Sequence, residues 1–177
     1  THVGKVRTEN QDHFLVCSLK KQLEVSQTSL PDPAAIRGGD ERLAFLAMVA
    51  DGVGGGPKGE EASRLTVSGV TRYVAESMHV YYSADPEDPE GFARALSEAA
   101  LQCSRDLRRR GEEDPSSQDM ATTLSLWIGL WPQAYLLQVG DSRYYMLREG
   151  ELTQVSRDQT IAQELIDQGV FSRTPTE

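Results

Sequence analysis

Four short segments carry the residue types that could do chemistry: Arg7-Thr8-Glu9-Asn10-Gln11-Asp12, Asp51-Gly52-Val53-Gly54-Gly55-Gly56, Asp119-Met120-Ala121-Thr122-Thr123 and Gly140-Asp141-Ser142-Arg143. Carboxylate oxygens are hard ligands suited to Mg²⁺, Mn²⁺ or Ca²⁺. Acids such as Asp51, Asp119 and Asp141, if gathered from strand ends, could supply oxygens to two or three divalent ions. An arginine beside them holds a phosphate through its planar fork. Each segment also has a plainer reading. Asp51-Gly52 suits an ordinary turn, Arg7 a surface ion pair and Asp119 the end of a loop. Asp141 suits a turn braced by its own carboxylate.

The elements that would position these residues are legible from periodicity. Leu43 to Ala50 is an unbroken apolar run that ends at Asp51, a pattern for a buried strand delivering a carboxylate to the rim of a core. Glycines follow, and they let the backbone turn sharply and approach a ligand. Residues 13–19 read as a partner strand, and the polar stretch 20–42 as a surface insertion between the two. From Glu60 to about Tyr82 the spacing of Leu65, Val67, Val70, Val74 and Met78 predicts a helix. A second helix, about 89–110, has Phe92, Leu96, Ala99, Ala100, Cys103 and Leu107 as its apolar stripe. Strands return over 122–130, 134–139 and 143–148, with a hairpin turn at Glu149-Gly150, and 160–168 reads as a short helix closed by Gly169. Strands in blocks rather than alternating with helices favour antiparallel sheets with helices outside.

Bulk composition narrows the classes. A chain of 177 residues is long enough for one domain with a sizeable core. Its net charge of −9 argues against non-specific binding to nucleic acid or to an anionic membrane surface. No apolar run approaches the roughly 20 residues of a membrane span. Cys17 and Cys103 form no disulfide framework and no metal-ligand spacing, so both read as buried thiols in a reducing compartment, with the cytoplasm as the expected location.

Gly54-Gly55-Gly56-Pro57-Lys58-Gly59 formally matches the dinucleotide fingerprint between a strand and a helix. Asp51 would put negative charge beside the pyrophosphate, and the β blocks do not suit a parallel sheet. A P-loop is excluded because Lys58 is followed by Gly59.

Taken in order, the segments resemble the PP2C-type (PPM) family of metal-dependent protein serine/threonine phosphatases in its bacterial form. The matching pieces are Gly4 through Asp12, Val49 through Gly55, Gly59-Glu60-Glu61-Ala62-Ser63, Ala121-Thr122-Thr123-Leu124, Val139 through Arg143, and Leu152-Thr153 through Asp158. The resemblance implies an α+β fold: a four-layer α-β-β-α sandwich of two antiparallel sheets flanked by helices. It implies two Mn²⁺ or Mg²⁺ ions, or three, at the end of the sandwich. By residue, it implies that Asp51 bridges two ions and Gly52 offers its carbonyl to one. Asp119 serves a third, Asp12 and Asp141 stand behind the site, and Arg7 binds the substrate phosphate. Phosphorylated proteins, kinase substrates or the kinase itself, are the implied partners, and hydrolysis by a metal-activated water is the implied reaction.

The chain departs from the family pattern at Gln11, where Glu is frequent, and at Gly56 and Gln159, where His is frequent. Two further metal aspartates expected near the end of the domain have no match after Asp158, so the C-terminal third of the domain is expected to be missing. A second reading therefore stands beside the enzyme: a non-catalytic module that binds a phosphoprotein or a regulator. Uncovered sheet edges and faces would favour a homodimer or strand exchange.

Overall fold

The computed structural model describes residues 2, 3, 5, 8–21, 41–53, 57–76, 89–114 and 120–168. Strand β1 (Asp12–Lys21) pairs antiparallel with β2 (Glu41–Val53), so the two strands expected around the polar stretch are neighbours. Both run further into that stretch than its polarity suggested, with Lys20 opposite Arg42 and Lys21 opposite Glu41 beyond an irregularity at Leu19. The remainder of the stretch, 22–40, lies outside the described residues.

Helix α1 (Pro57–Glu76) begins three residues earlier than its apolar spacing implied, with proline in the first helical position, where its missing N–H costs nothing. Its inward face keeps Val70 and Val74 of the expected stripe, with Val67 packed against the core, and adds residues the stripe left out; Met78 and the expected end near Tyr82 lie outside the described residues. Ala62, Ser63, Thr66, Val70 and Val74 are buried, whereas Leu65 is only partly so. The four-residue step from Ala62 to Val74 runs through a threonine, and a purely apolar count skips it. Helix α2 (Pro89–Glu113) buries Phe92, Leu96, Ala99 and Cys103 as expected and crosses α1 closely at Gly69, where an added Cβ would lie 3.0 Å from Cys103 Sγ.

After α2 come β3 (Ala121–Thr122), β4 (Leu124–Leu130), β5 (Gln133–Val139), β6 (Tyr145–Arg148), β7 (Glu151–Gln154) and α3 (Ile161–Asp167). The main sheet has the order β1-β2-β4-β5 with β3 extending β2, and every pairing is antiparallel. This excludes the parallel β-α-β unit that a dinucleotide fingerprint requires. A separate antiparallel sheet is formed by β6 and β7. They turn through Glu149 and Gly150, both at positive φ, as a two-residue hairpin demands. Arg143 and Tyr144, read as the start of β6, precede it instead. The architecture is α+β, with two antiparallel sheets and with α1 and α2 packed on one face of the main sheet.

Alternation in the central strands sorts the faces. Ala44, Leu46 and Met48 of β2 and Leu124, Leu126 and Ile128 of β4 point to α1 and α2 and close the core with Val70, Val74, Phe92 and Leu96. Phe92 and Tyr135 of β5 meet at a ring separation of 4.5 Å. The site residues lie where β2 leaves this core.

Candidate metal centre and its relatives

Asp12 opens β1 and stands directly opposite Asp51 in the β1–β2 register. Cross-strand partners have Cβ atoms about 4.5–5.5 Å apart, so the register brings two carboxylates together at one end of the sheet. Such a pair is costly without a cation or a hydrogen-bond partner. Asp51 is exposed and Asp12 half-buried, so both remain accessible from solvent.

Gly52 is held from two sides. Its N–H donates to the Gln11 carbonyl at 3.2 Å, and a Cβ built on it would overlap the backbone carbonyl of Gly59 in the first turn of α1. The glycine is therefore required by close approach of strand and helix. Gln11, the departure from the frequent Glu, is buried at 7% exposure with its side chain against Gly59. A neutral amide avoids placing a third carboxylate in a buried position next to Asp12 and Asp51. Ser63 fastens the same corner: its hydroxyl bonds the Gln11 carbonyl at 2.6 Å and lies 2.9 Å from His13 Nδ1. With that hydroxyl hydrogen committed to the carbonyl, His13 Nδ1–H is the donor to Ser63.

The Asp51 backbone is gripped by β3 and the residue after it. Its carbonyl accepts from Thr123 N–H at 2.9 Å and from Thr122 Oγ1 at 2.9 Å, and its N–H donates to Thr123 Oγ1 at 3.1 Å. Ser142 Oγ lies 3.0 Å from Thr123 Oγ1, which brings the Asp141 loop to the same point. Asp141 itself is exposed and makes no hydrogen bond or ion pair among the described residues. The reading of it as a turn brace is thereby corrected. The bracing comes from Gln159, whose side chain accepts from Gly140 N–H at 3.0 Å and donates to the Gln138 carbonyl at 3.2 Å. Arg143 adds a fork onto Asp158, at 2.8 Å from Nε and 2.6 Å from its terminal nitrogen. That carboxylate holds the guanidinium pKa above its ordinary value and occupies the fork.

Arg7 and Asp119 lie outside the described residues. Among the described residues no group of three or more His, Cys, Asp or Glu side chains could hold an ion by itself. The donors present are the Asp12 and Asp51 carboxylates and the Gly52 carbonyl, all hard oxygens suited to Mg²⁺ or Mn²⁺. Thr123, Ser142 and Gln159 carried no role in the sequence reading. Their only signal was membership of matched or departing segments, since side-chain bonds to the backbone have no characteristic spacing.

The sequence profile of protein phosphatase 2C matches residues 24–176. The chain belongs to the protein phosphatase 2C family. The matched stretch includes Asp51, Gly52, Asp119 and Asp141 and begins after Asp12. The serine/threonine protein phosphatase PstP of Mycobacterium tuberculosis is 34% identical over 127 residues, 71% of this chain and 23% of that protein. A solved catalytic domain of the serine/threonine protein phosphatase PstP, in complex with two manganese ions, is 25% identical, with a TM-score of 0.58 over 92% of this chain and 62% of that one. The serine/threonine phosphatase Stp1 from Staphylococcus aureus shares the fold with a TM-score of 0.70, at 19% identity over 97% of this chain and 57% of that one. The chain thus spans about a quarter of the first relative and about three-fifths of the solved protein phosphatase 2C domains.

Proposed function

We propose that this chain acts as a metal-dependent protein serine/threonine phosphatase, hydrolysing phosphoserine and phosphothreonine in proteins phosphorylated by serine/threonine kinases, or in the kinases themselves. The observation that carries the reading is the pairing of Asp12 with Asp51 at an open strand end, within a protein phosphatase 2C fold. The manganese-bound relative supports Mn²⁺, with Mg²⁺ as the alternative hard cation. Both cysteines are free, which suits a thiol-independent reaction and a reducing, cytoplasmic setting.

In this reading Asp51, the Gly52 carbonyl and Asp119 hold the ions, and Asp12 steadies the centre from behind. When bound, such ions lower the pKa of water and offset charge on the phosphoryl oxygens. Arg7 orients the phosphate and shares its charge through a bidentate contact. The network through Thr122, Thr123 and Gln11 fixes the backbone on which Asp51 and Gly52 sit, so their oxygens are placed before any ion arrives.

Hydrolysis of p-nitrophenyl phosphate and of a phosphothreonine peptide, titrated with Mn²⁺, tests the proposal. Asp51→Asn is expected to lower Mn²⁺ affinity and to remove at least about two orders of magnitude of activity, in line with loss of a major electrostatic group. Activity that survives Asp51→Asn would sink the assignment of the site.

A further inference from the structure

The register of β2 against the β3–β4 segment is continuous, yet one ladder bond in it has been exchanged for a side-chain bond. Val49 stands opposite Ser125 and Gly52 opposite Thr122, which places Asp51 opposite Thr123. In an antiparallel ladder such a pair exchanges two backbone bonds. Thr123 N–H does donate to the Asp51 carbonyl, but Asp51 N–H goes to Thr123 Oγ1 instead of the Thr123 carbonyl. That carbonyl lies 3.0 Å from Thr122 Oγ1, whose single hydrogen it shares with the Asp51 carbonyl. Residue 123 therefore separates β3 from β4.

Thr123 is buried at 6% exposure, and both branches of its side chain are used. The hydroxyl accepts from Asp51 and meets Ser142 Oγ. The methyl lies against Gly140, where an added Cβ would come within 2.8 Å of it. Gly140 and Ser142 flank Asp141, so this one side chain joins the backbone of Asp51 to the loop that presents Asp141. On the far side that loop is held by Gln159 and by the Arg143–Asp158 fork.

We infer that Thr123 is a positioning residue for the metal centre: its hydroxyl replaces a ladder acceptor and sets the place of Asp51 relative to the Asp141 loop. The inference rests on the phosphatase reading and deepens it. Valine keeps the shape and the methyl contact but offers neither an acceptor to Asp51 N–H nor a partner to Ser142. Serine keeps the hydroxyl.

The test is Mn²⁺ affinity by calorimetry on the 177-residue chain, with amide exchange at Asp51 followed without metal. Thr123→Val is expected to weaken Mn²⁺ binding about 10–100-fold, the usual effect of losing a group that orients a ligand. It should also speed exchange at the Asp51 amide, and Thr123→Ser should restore both. In turnover, the Mn²⁺ concentration for half-activation should rise more than kcat at saturating Mn²⁺ falls. Ser142→Ala, which leaves the Asp51 bond in place, is expected to shift affinity in the same direction by less, and it remains informative if Thr123→Val does not fold. Unchanged affinity in Thr123→Val, or failure of serine to rescue it, overturns the inference and leaves the phosphatase reading standing. Absence of Mn²⁺ binding by the unsubstituted chain overturns both.

Discussion

Tyr144 shows how a single buried hydroxyl sets a pH limit. Its phenolic oxygen is buried with no hydrogen-bond partner among the described residues, and burial pushes its pKa upward. The neighbouring Ser125 hydroxyl pulls the other way but does not offset burial, and neither oxygen makes a bond of good geometry. The thiols of Cys17 and Cys103 are raised by burial as well, that of Cys103 further by Asp106. Each of these acids ionises more readily in the unfolded chain than in the folded one. The folded chain therefore holds the extra protons, and stability falls as pH rises through the ordinary thiol value near 8.5 and then the ordinary phenol value near 10. Tyr144→Phe is expected to stay within about 1 kcal/mol of the parent at pH 7 and to flatten the loss above about pH 10. Urea midpoints across pH 7–11 check this, and an unaltered alkaline slope would count against it. Cys17 is only half-buried, not buried as expected, because it lies in β1 at the sheet's edge. At this scale the acids were readable in the sequence and their supports were not. Asp51 announces itself by ending an apolar run, whereas Gln159 reads as a lost histidine until its two backbone bonds are seen.

Among the elements, the junction of β2 with α1 decides whether a site exists. Gly52 and Gly59 approach backbone to backbone, so neither can turn aside to admit a methyl group. Gly52→Ala is expected to cost about 3 kcal/mol or more, the upper end for overpacking, and to lower Tm by roughly 6–12 °C for a chain of this size. Gly150→Ala is the matched control. It faces open space at a φ of 86°, so only backbone strain of about 1–2 kcal/mol applies. Calorimetric scans of both variants distinguish crowding from strain, and equal losses would refute the close-approach argument. The elements themselves were largely legible: strands at β1, β4 and β5, the apolar run of β2 and the apolar stripe of α2 emerge where expected. The stripe expected for α1 holds at Val70 and Val74 and, in part, at Val67, but it omits Thr66, a core position that apolar counting rejects. Strand β3 was merged with β4 because the break at Thr123 is made by a side-chain bond, which no hydrophobic period records.

For the whole molecule, the two faces of the main sheet are unequal. One face carries the core beneath α1 and α2, while Phe14, Val16, Val49 and Leu136 on the other are exposed, at 60%, 57%, 37% and 45%. Trp127 lies over Gly129 on that face and meets Phe45 edge-on at 5.8 Å. Val16, Ala47, Trp127 and Leu136 form one apolar row across all four long strands. Four strands at about 4.8 Å spacing and five residues each present a flat face on the order of 300–400 Å². A stable complex buries about 800 Å² of accessible surface per partner, so the expectation for this face is weak, concentration-dependent association of two copies rather than a permanent dimer. The net charge of −9 opposes that contact, and salt screens the repulsion. Sedimentation velocity of this chain is therefore expected to show a sedimentation coefficient that rises with protein concentration, and more steeply at high salt. Phe14→Thr combined with Val16→Thr keeps strand propensity on β1 while removing the two most exposed apolar side chains of this face, and should return the chain to a monomer at all concentrations. A parent chain that sediments as a monomer throughout, or a double variant that associates as strongly as the parent, would show that the open face does not drive association.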